Sequence, residues 1–222
     1  MPFNLVKNEI YDRQAFDIIG RILKIDSNAI DIGCHQGSYL NEILKHAPNG
    51  NHIAFEPIPH LAATLRKKFP SVQIYPYALS SNNGETTFFY IPDFPALSGL
   101  NTRDFLAQNS PRQEINVSVK KLDDLVPEAI RIDLIKIDVE GAEGHVISGA
   151  LETIKRNKPH IILEHDGSSS MAFGFSSGDI YNILVEKCGL RLSLLKNWLY
   201  GRSSLSKQEF IGCKEWYFIA YP

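Results

Sequence analysis

Two acidic residues and two glycines form the clearest chemical pattern in the sequence. Asp31, Gly33 and Gly37 lie between a short apolar segment and a predicted helix, and Glu56 follows the next apolar segment. Glycine permits a sharp turn and lets a ligand approach the backbone, because it has no Cβ. A carboxylate about 20 residues beyond such a turn can accept hydrogen bonds from both hydroxyls of an adenosine ribose. The pattern predicts a nucleoside-binding site with Glu56 on the ribose.

The sequence of the turn favours S-adenosylmethionine over a dinucleotide. Dinucleotide enzymes carry Gly-x-Gly-x-x-Gly, whose middle glycine gives the pyrophosphate room. Here the middle position is His35, which we include among the candidate cofactor-binding residues. Asp31, just before the turn, suits a cationic cofactor that bears an amino acid. An NAD(P)-binding oxidoreductase and a non-catalytic nucleotide-binding module remain the alternatives.

A second group of charged residues occupies a segment that resembles a buried strand. Within residues 135–139, apolar side chains alternate with Lys136 and Asp138, and Glu140 continues the charged face if the strand persists. Central parallel strands are buried on both faces, so these charges must be paired, lie at the strand end or bind a ligand. One interpretation is an ion pair of Lys136 that anchors the sheet. The other makes Asp138 and Glu140 catalytic, with Asp138 near the methionine end of the cofactor and Glu140 toward the acceptor.

Glu164, His165 and Asp166 end the next predicted strand. We predict His165 as the general base for a hydroxyl acceptor, because imidazole titrates near neutral pH. Alternatively, Asp138, Glu164 and Asp166 could hold a divalent cation that lowers the pKa of the acceptor. The sequence has no metal-binding motif, so no metal ligand is assigned.

Strands and helices alternate along the chain, which predicts an α/β fold with a doubly wound, mostly parallel sheet. Apolar residues with helical spacing predict helices over about residues 9–24, 59–69 and 178–188. A further helix is predicted to begin near Ser38, its N-cap, and another to run from Glu143 to Asn157. The predicted strands are 29–32, 52–55, 72–75, 134–138, 160–163, 190–194 and 216–221. Residues 91–116 and 166–178 do not follow this alternation. Because ligands bind beyond the carboxyl ends of such strands, both segments are candidate acceptor-site loops.

The length of 222 residues predicts a single domain over 1–222, with residues 1–28 as an N-terminal helical extension. A net charge of −2 supplies no positive field for nucleic acid or an anionic membrane. No apolar segment has the length of a membrane span. The three cysteines are scattered, which is typical of a reducing compartment, so we expect a cytoplasmic location.

Several motifs together resemble the FkbM-type methyltransferases. The matching segments are residues 30–37, 55–59, 77–80, 117–125, 135–143, 149–150 and 159–164, of which Lys-Ile-Asp-Val-Glu-Gly-Ala-Glu at 136–143 is the most specific. The resemblance implies a class I methyltransferase fold with a Rossmann-like sheet of seven strands, the last of them antiparallel. It also implies S-adenosylmethionine as donor and O-methylation of a sugar, polyketide or related small molecule.

By the same resemblance, Asp31, Gly33, Gly37 and Glu56 contact the cofactor, and Ala78-Leu79 lies near the adenine. The family usually has Asn at the position of His35. Methyltransferases that act on amino groups of bases carry Asn/Asp-Pro-Pro-Tyr/Phe after the fourth strand, where this chain has residues 138–141, Asp-Val-Glu-Gly. We therefore expect a small-molecule or glycan acceptor and no nucleic acid. The segment after residue 165 matches weakly and does not identify the acceptor.

Overall fold

The computed structural model describes residues 2–93, 98–100 and 111–222, with side chains from residue 8 onward. Its strands are β1 Ala29–Ile32, β2 Ile53–Phe55, β3 Gln73–Tyr75, β4 Tyr77–Leu79, β5 Gly84–Tyr90, β6 Gln113–Lys120, β7 Leu134–Ile137, β8 His160–Glu164, β9 Arg191–Leu194 and β10 Tyr217–Tyr221. Its α-helices are α1 Pro2–Ile22, α2 Ser38–His46, α3 Pro59–Lys68, α4 Glu143–Ser148, α5 Leu151–Asn157, α6 Gly167–Met171, α7 Ser177–Tyr181, α8 Leu195–Leu199 and α9 Lys207–Ile211. A 3₁₀ turn covers Leu122–Asp124, and a π-helical turn, Asn182–Lys187, continues α7.

Seven strands of the described chain form the main sheet, in the order β3-β2-β1-β7-β8-β10-β9. The last strand, β10, is antiparallel to both of its neighbours, whereas the pairs from β3 to β8 are parallel. The reversal in strand order between β1 and β7 creates a crevice at the carboxyl ends of the strands, which is where open α/β sheets bind ligands. The predicted class I methyltransferase fold is confirmed.

The apolar side chains of alternate strand positions fill two core layers, one on each face of the sheet. Ile30 and Ile135 belong to the layer formed with α4 and α5. Ala29 and Leu134 belong to the layer formed with α1 and α2, in which Ile18 and other α1 residues are fully buried. The N-terminal helix therefore packs into the core and covers one side of the crevice. None of the helices in the described ranges is long and apolar enough to span a membrane.

A second sheet of three described strands, β4-β6-β5, was not predicted from the sequence. Its strands follow β3 in the sequence. The sheet has a small apolar cluster of its own, which includes Ile58, Ala78 and Phe88. The predicted acceptor loop at 91–116 is partly wrong, because residues 113–116 belong to β6 and pair with β5. Its residues 94–97 and 101–110 lie outside the described part of the chain.

Three local predictions also need correction. The helix predicted over 143–157 is two helices, which are separated at Gly149 and Ala150. The backbone of Gly149 passes so close to Ser80 that a Cβ would lie 2.0 Å from the Ser80 carbonyl oxygen, so the position requires glycine. Ser38 is the first residue of α2 rather than its cap, and the N-cap is Gly37 with no side-chain hydrogen bond. The predicted loop at 166–178 contains α6 and the start of α7.

Candidate active site

A cavity of about 600 Å³ opens at the carboxyl ends of the central strands. Its lining includes the β1–α2 loop, Glu56 after β2, the strand β4, the residues that follow β7 and β8, and the side of α1. The predicted cofactor residues except Asp31 and Gly37, and the predicted catalytic residues except His165, line this one cavity. The structure thus brings most of the predicted site residues together, and their roles stay predictions.

The glycines of the β1–α2 loop are required by their geometry. Gly33 has φ 77° and lies so close to the end of β7 that a Cβ would be 1.9 Å from the Asp138 carbonyl oxygen. Gly37 has φ 78°, and a Cβ there would meet the Phe69 ring at 2.4 Å. His35 also has a positive φ, 45°, a conformation in which Asn and His are enriched among non-glycine residues. This explains why His can stand where the family usually has Asn.

Glu56 is held rigidly at the edge of the cavity. Its Oε2 accepts a hydrogen bond of 2.9 Å from the His35 N–H, and its Oε1 accepts one of 3.0 Å from the Ile58 N–H. Only 4% of the residue is exposed, and burial raises its pKa to about 7 despite these two bonds. A carboxylate accepts about four hydrogen bonds, so the two oxygens keep acceptor capacity toward the cavity.

Ala78 and Leu79 line the same cavity from β4 of the second sheet. Both are buried, and Ala78 packs in one cluster with Ile58, two residues beyond Glu56. An apolar wall next to a carboxylate with free acceptor capacity fits a flat adenine ring. The pair is thus placed where an adenine contact is possible.

Asp31 lies beneath the loop, fully buried, and does not line the cavity. It is the register partner of Lys136, whose Nζ is 3.7 Å from Asp31 Oδ1. Burial raises the pKa of Asp31 to about 6, and the charge of Lys136 opposes that shift. The structure therefore places Asp31 away from the cavity that the predicted direct cofactor contact requires, and in contact with Lys136.

Lys136 connects the β1–α2 loop to the opposite end of the cavity. Its Nζ donates to the Gly33 carbonyl at 2.9 Å, lies 3.2 Å from Asp138 Oδ2, and stands 4.9 Å from the centre of the Tyr39 ring. The charge on this central strand is paired, as the first interpretation of the sequence required. Asp138 also lines the cavity, and its catalytic role, the second interpretation, stays a prediction.

Three carboxylates converge at the end of the cavity away from Glu56. Asp138, Glu140 and Glu164 each have an oxygen within 4.8 Å of the others. The Tyr217 hydroxyl lies 3.3 Å from Asp138 Oδ2 and 3.4 Å from Glu164 Oε2. Burial and the charge of Asp138 hold the pKa of Glu164 well above its usual value. For Asp138, Lys136 and hydrogen bonds outweigh burial and keep its pKa low, so the pair holds its proton on Glu164.

The metal-ligand set considered from the sequence is wrong in one member. Asp166 is the N-cap of α6, and its carboxylate accepts from the Ser168 and Ser169 N–H groups. The acidic cluster instead contains Glu140 beside Asp138 and Glu164. These three could ligate a hard cation through oxygen. The ammonium of Lys136 beside Asp138 works against this, because it already supplies a positive charge there.

The prediction of His165 as general base is wrong. Side chains alternate along the strand direction, so Glu164 and Asp166 face the cavity while His165 points to the opposite face. His165 is 3% exposed, stacks on Phe210 with ring centres 5.4 Å apart, and contacts two serine hydroxyls. It cannot reach an acceptor in the cavity.

Several cavity residues were missed in the sequence. Asn8 and Asp12 line it from α1, and Asp12 Oδ1 accepts a hydrogen bond of 3.0 Å from the Tyr39 hydroxyl. Their spacing of four residues, which places both on one helix face, was the available signal. Tyr217 could have been found from the antiparallel pairing of β10, which sets it opposite Glu164.

This combination of sheet order, glycine turn and cavity defines a class I methyltransferase. The model of the FkbM methyltransferase domain matches residues 31–192, and the chain belongs to that family. This agrees with the resemblance found in the sequence motifs.

The chain is also similar to named proteins, of which one is a methyltransferase by name and another is a synthetase by name. The chain is 30% identical over 161 residues to the 2-O-methyltransferase NoeI of Sinorhizobium fredii, with 64% of each chain covered. It is 25% identical over 232 residues to the AMB antimetabolite synthetase AmbE of Pseudomonas aeruginosa, covering 87% of this chain and 11% of AmbE. The chain thus spans less than two thirds of either relative.

Among solved structures, the FkbM methyltransferase of Methylobacillus flagellatus KT matches with a TM-score of 0.57 and 15% identity. The match covers 90% of this chain and 44% of that chain. At this identity the similarity supports the fold alone.

Proposed function

We propose that the protein transfers a methyl group from S-adenosylmethionine to a hydroxyl group of a sugar, polyketide or related small molecule. One observation carries this proposal. At one end of the cavity, Glu56 is held by two backbone hydrogen bonds and keeps capacity to accept more, and at the other end three carboxylates converge. An adenosyl group fits the first end, and a proton-releasing acceptor fits the second. The family to which the chain belongs implies the same donor.

At the donor end, each residue has a distinct part. Glu56 binds the ribose hydroxyls, Ala78 and Leu79 pack on the adenine, and the turn of Gly33, His35 and Gly37 brings backbone close to the ligand. The donor, when bound, supplies a methyl group on a positively charged sulfur. The protein's residues then have to orient it toward the acceptor.

At the acceptor end, the carboxylates match the direction in which charge moves. Methyl transfer removes the positive charge from sulfur and creates it on the acceptor oxygen, which then loses a proton. Asp138 and Glu140, placed at the acceptor, therefore interact more strongly in the transition state than in the ground state. Asp138 accepts the hydrogen bond of the hydroxyl, and Glu140 binds a neighbouring group of the acceptor. Proton acceptance of this kind contributes about 10²–10⁴-fold to a rate.

Oxygen is preferred as the methylated atom for two reasons. NoeI, whose printed name is that of a 2-O-methyltransferase, is among the relatives. The segment 138–141 also lacks the prolines that grip a planar amino group in methyltransferases of bases.

Two assays test the proposal on the purified protein. A thermal-shift comparison of S-adenosylmethionine, S-adenosylhomocysteine, NAD and NADP should show stabilisation by the first two, since a ligand of the folded state raises Tm by mass action. Transfer of a tritiated methyl group to a panel of methyl pyranosides and polyketide alcohols then tests the acceptor class. Stabilisation by NAD or NADP with no response to the adenosyl ligands would overturn the proposal. EDTA treatment in the transfer assay tests whether the acidic cluster needs a divalent cation.

A further inference from the structure

Behind the acceptor end of the cavity runs a buried chain of hydrogen bonds. Glu143 Oε1 accepts from the Gly141 N–H at 2.7 Å, and its Oε2 accepts from the Ser170 hydroxyl at 3.2 Å. Ser170 Oγ lies 3.1 Å from His165 Nδ1, and His165 Nε2 lies 2.9 Å from Ser177 Oγ. Glu143, Ser170 and His165 are all at most 3% exposed. None of the three lines the cavity.

This series of hydrogen bonds joins the two walls of the acceptor end of the cavity. On one side, the turn after β7 carries Glu140 and Gly141, both at positive φ, 55° and 98°. A non-glycine residue in that region is strained and needs support from its surroundings. On the other side, the segment 166–177 carries Asp166 and Ser169, which line the cavity. The hydrogen bonds of Glu143 reach both sides at once.

Independent packing contacts hold the same two walls together. Phe175 lies directly on the backbone of Gly144, where a Cβ would be 2.2 Å from the ring. His145 Nε2 is 3.1 Å from the Phe173 carbonyl oxygen. Three consecutive residues, 143–145, thus hold the segment 166–177 against the start of α4.

When Glu143 is ionised, the protons of these hydrogen bonds have one consistent arrangement. Burial lowers the pKa of His165, so its ring is neutral and has one N–H. Because the Ser170 hydroxyl donates its single hydrogen to Glu143, Ser170 Oγ accepts from His165 Nδ1–H. His165 Nε2 then accepts from the Ser177 hydroxyl. Removing one member leaves another buried polar group without its partner.

We propose that Glu143, Ser170 and His165 are positioning residues that fix the Glu140 turn and the segment 166–177 across the acceptor end of the cavity. They touch no acceptor themselves. They keep Glu140, Asp166 and Ser169 in one arrangement, so that a bound acceptor meets the donor in a reactive orientation. This inference rests on the proposed function only for what occupies the cavity; the linkage itself is testable without an acceptor.

The test compares Ser170→Ala with Ser193→Ala. Both substitutions remove a fully buried serine hydroxyl, but Ser193 lies on β9 and its Oγ has no hydrogen-bond partner. In protein saturated with S-adenosylhomocysteine, hydrogen exchange of peptides 139–145 and 166–177 should be about ten- to hundredfold faster in Ser170→Ala, which corresponds to the loss of one buried hydrogen bond. Peptides over 29–37 should be unaffected, and Ser193→Ala should match the wild type.

A spectroscopic readout separates positioning from a loss of general stability. Nitrogen NMR of the imidazole rings at about pH 8.5, where Glu143 is ionised, should find the Nδ1–H tautomer for His165 in the wild type. The His165 signal is assigned by its absence in His165→Asn. In Ser170→Ala the ring should change to Nε2–H, which can donate to Ser177. For a methyl pyranoside that is turned over, kcat should fall at least about tenfold in Ser170→Ala while KM for S-adenosylmethionine stays within about twofold.

Several outcomes overturn the inference. These are wild-type exchange at both peptides in Ser170→Ala, equal acceleration over the whole chain, or an Nε2–H tautomer already in the wild type. The proposed function fails by a different result, a lack of response to S-adenosylmethionine and S-adenosylhomocysteine, which is measured on wild-type protein. The two failures are therefore distinguishable.

Discussion

At the scale of single residues, Glu56 has the most direct link to ligand binding. Replacing it by alanine should weaken S-adenosylmethionine binding by about 10–100-fold, or about 1.5–3 kcal/mol, because hydrogen bonds to a charged group are lost. Calorimetry measures this change. Glu85→Ala, on an exposed position of β5, is the control. Unchanged affinity in Glu56→Ala would show that Glu56 does not bind the ribose.

The titration of Glu56 predicts a pH dependence of binding. Its pKa in the free protein is raised to about 7 by burial, and the ribose hydroxyls need the ionised form as acceptor. Affinity should therefore be highest above about pH 7 and decline below it, by at most about tenfold per pH unit. Glu56→Gln should bind weakly with a flat profile. A wild-type affinity that increases on acidification would contradict the assignment.

Asp138 is the residue on which the proposed chemistry depends most. Asp138→Asn should lower methyl transfer at least about 100-fold, because the amide cannot take the acceptor proton. Affinity for S-adenosylhomocysteine should change only a few-fold, and Lys136 keeps Asp31 as an ionic partner. Single-turnover transfer and calorimetry give the two numbers. Full transfer by this variant would show that another group accepts the proton.

At the scale of elements, the contact between the β1–α2 loop and the end of β7 couples donor and acceptor ends. Gly33→Ala should destabilise the protein by about 1–3 kcal/mol, because a Cβ would strike the Asp138 carbonyl and strain a positive φ. It should also abolish S-adenosylmethionine binding. Gly84→Ala is the matched control: its Cβ would meet nothing within 4 Å, and we expect less than about 0.5 kcal/mol. Urea denaturation distinguishes the two, and equal midpoints would refute the close contact.

The main sheet could be predicted because its strands are short apolar runs separated by helical periodicity. β5 and β6 gave no such signal, since one face of each is exposed and polar side chains alternate along them. The error at His165 has a similar cause. Glu164, His165 and Asp166 form one acidic, titratable run in the sequence, but the alternation of side chains sends the middle residue to the other face. Asp31 was predicted at the cavity because its burial depends on Lys136, a partner 105 positions away in the sequence.

At the scale of the whole molecule, several carboxyl groups of the described residues titrate above their ordinary range. Asp31, Glu56, Glu143 and Glu164 all have raised pKa values, mainly through burial. Such groups bind protons in the folded chain that the unfolded chain has released. Several histidines have lowered pKa values, which oppose this effect below their ordinary value of 6.5. An unfolded histidine is still half protonated at pH 6.5, so the histidines continue to offset the carboxyl groups until about pH 7.5.

Glu56 and Glu143 alone should remove about 1–2 kcal/mol of stability from the free protein as the pH rises from about 6.5 to about 8, and the histidines offset part of this loss. The sign of this change in stability follows from the two pKa values, which are about 7 in the folded chain and 4.5 in the unfolded chain. The stabilising contribution of the two groups is therefore complete below pH 4.5 and is lost as the pH rises through 7. Denaturant unfolding at several pH values measures the slope. Glu143→Gln cannot titrate at this position, and the histidine contribution cancels when the variant is compared with the wild type. The stability of the wild type relative to the variant should therefore fall by about 0.5–1 kcal/mol over this pH range. A difference that stays constant would mean that Glu143 is already ionised in the fold, and that its surroundings are more polar than its burial indicates.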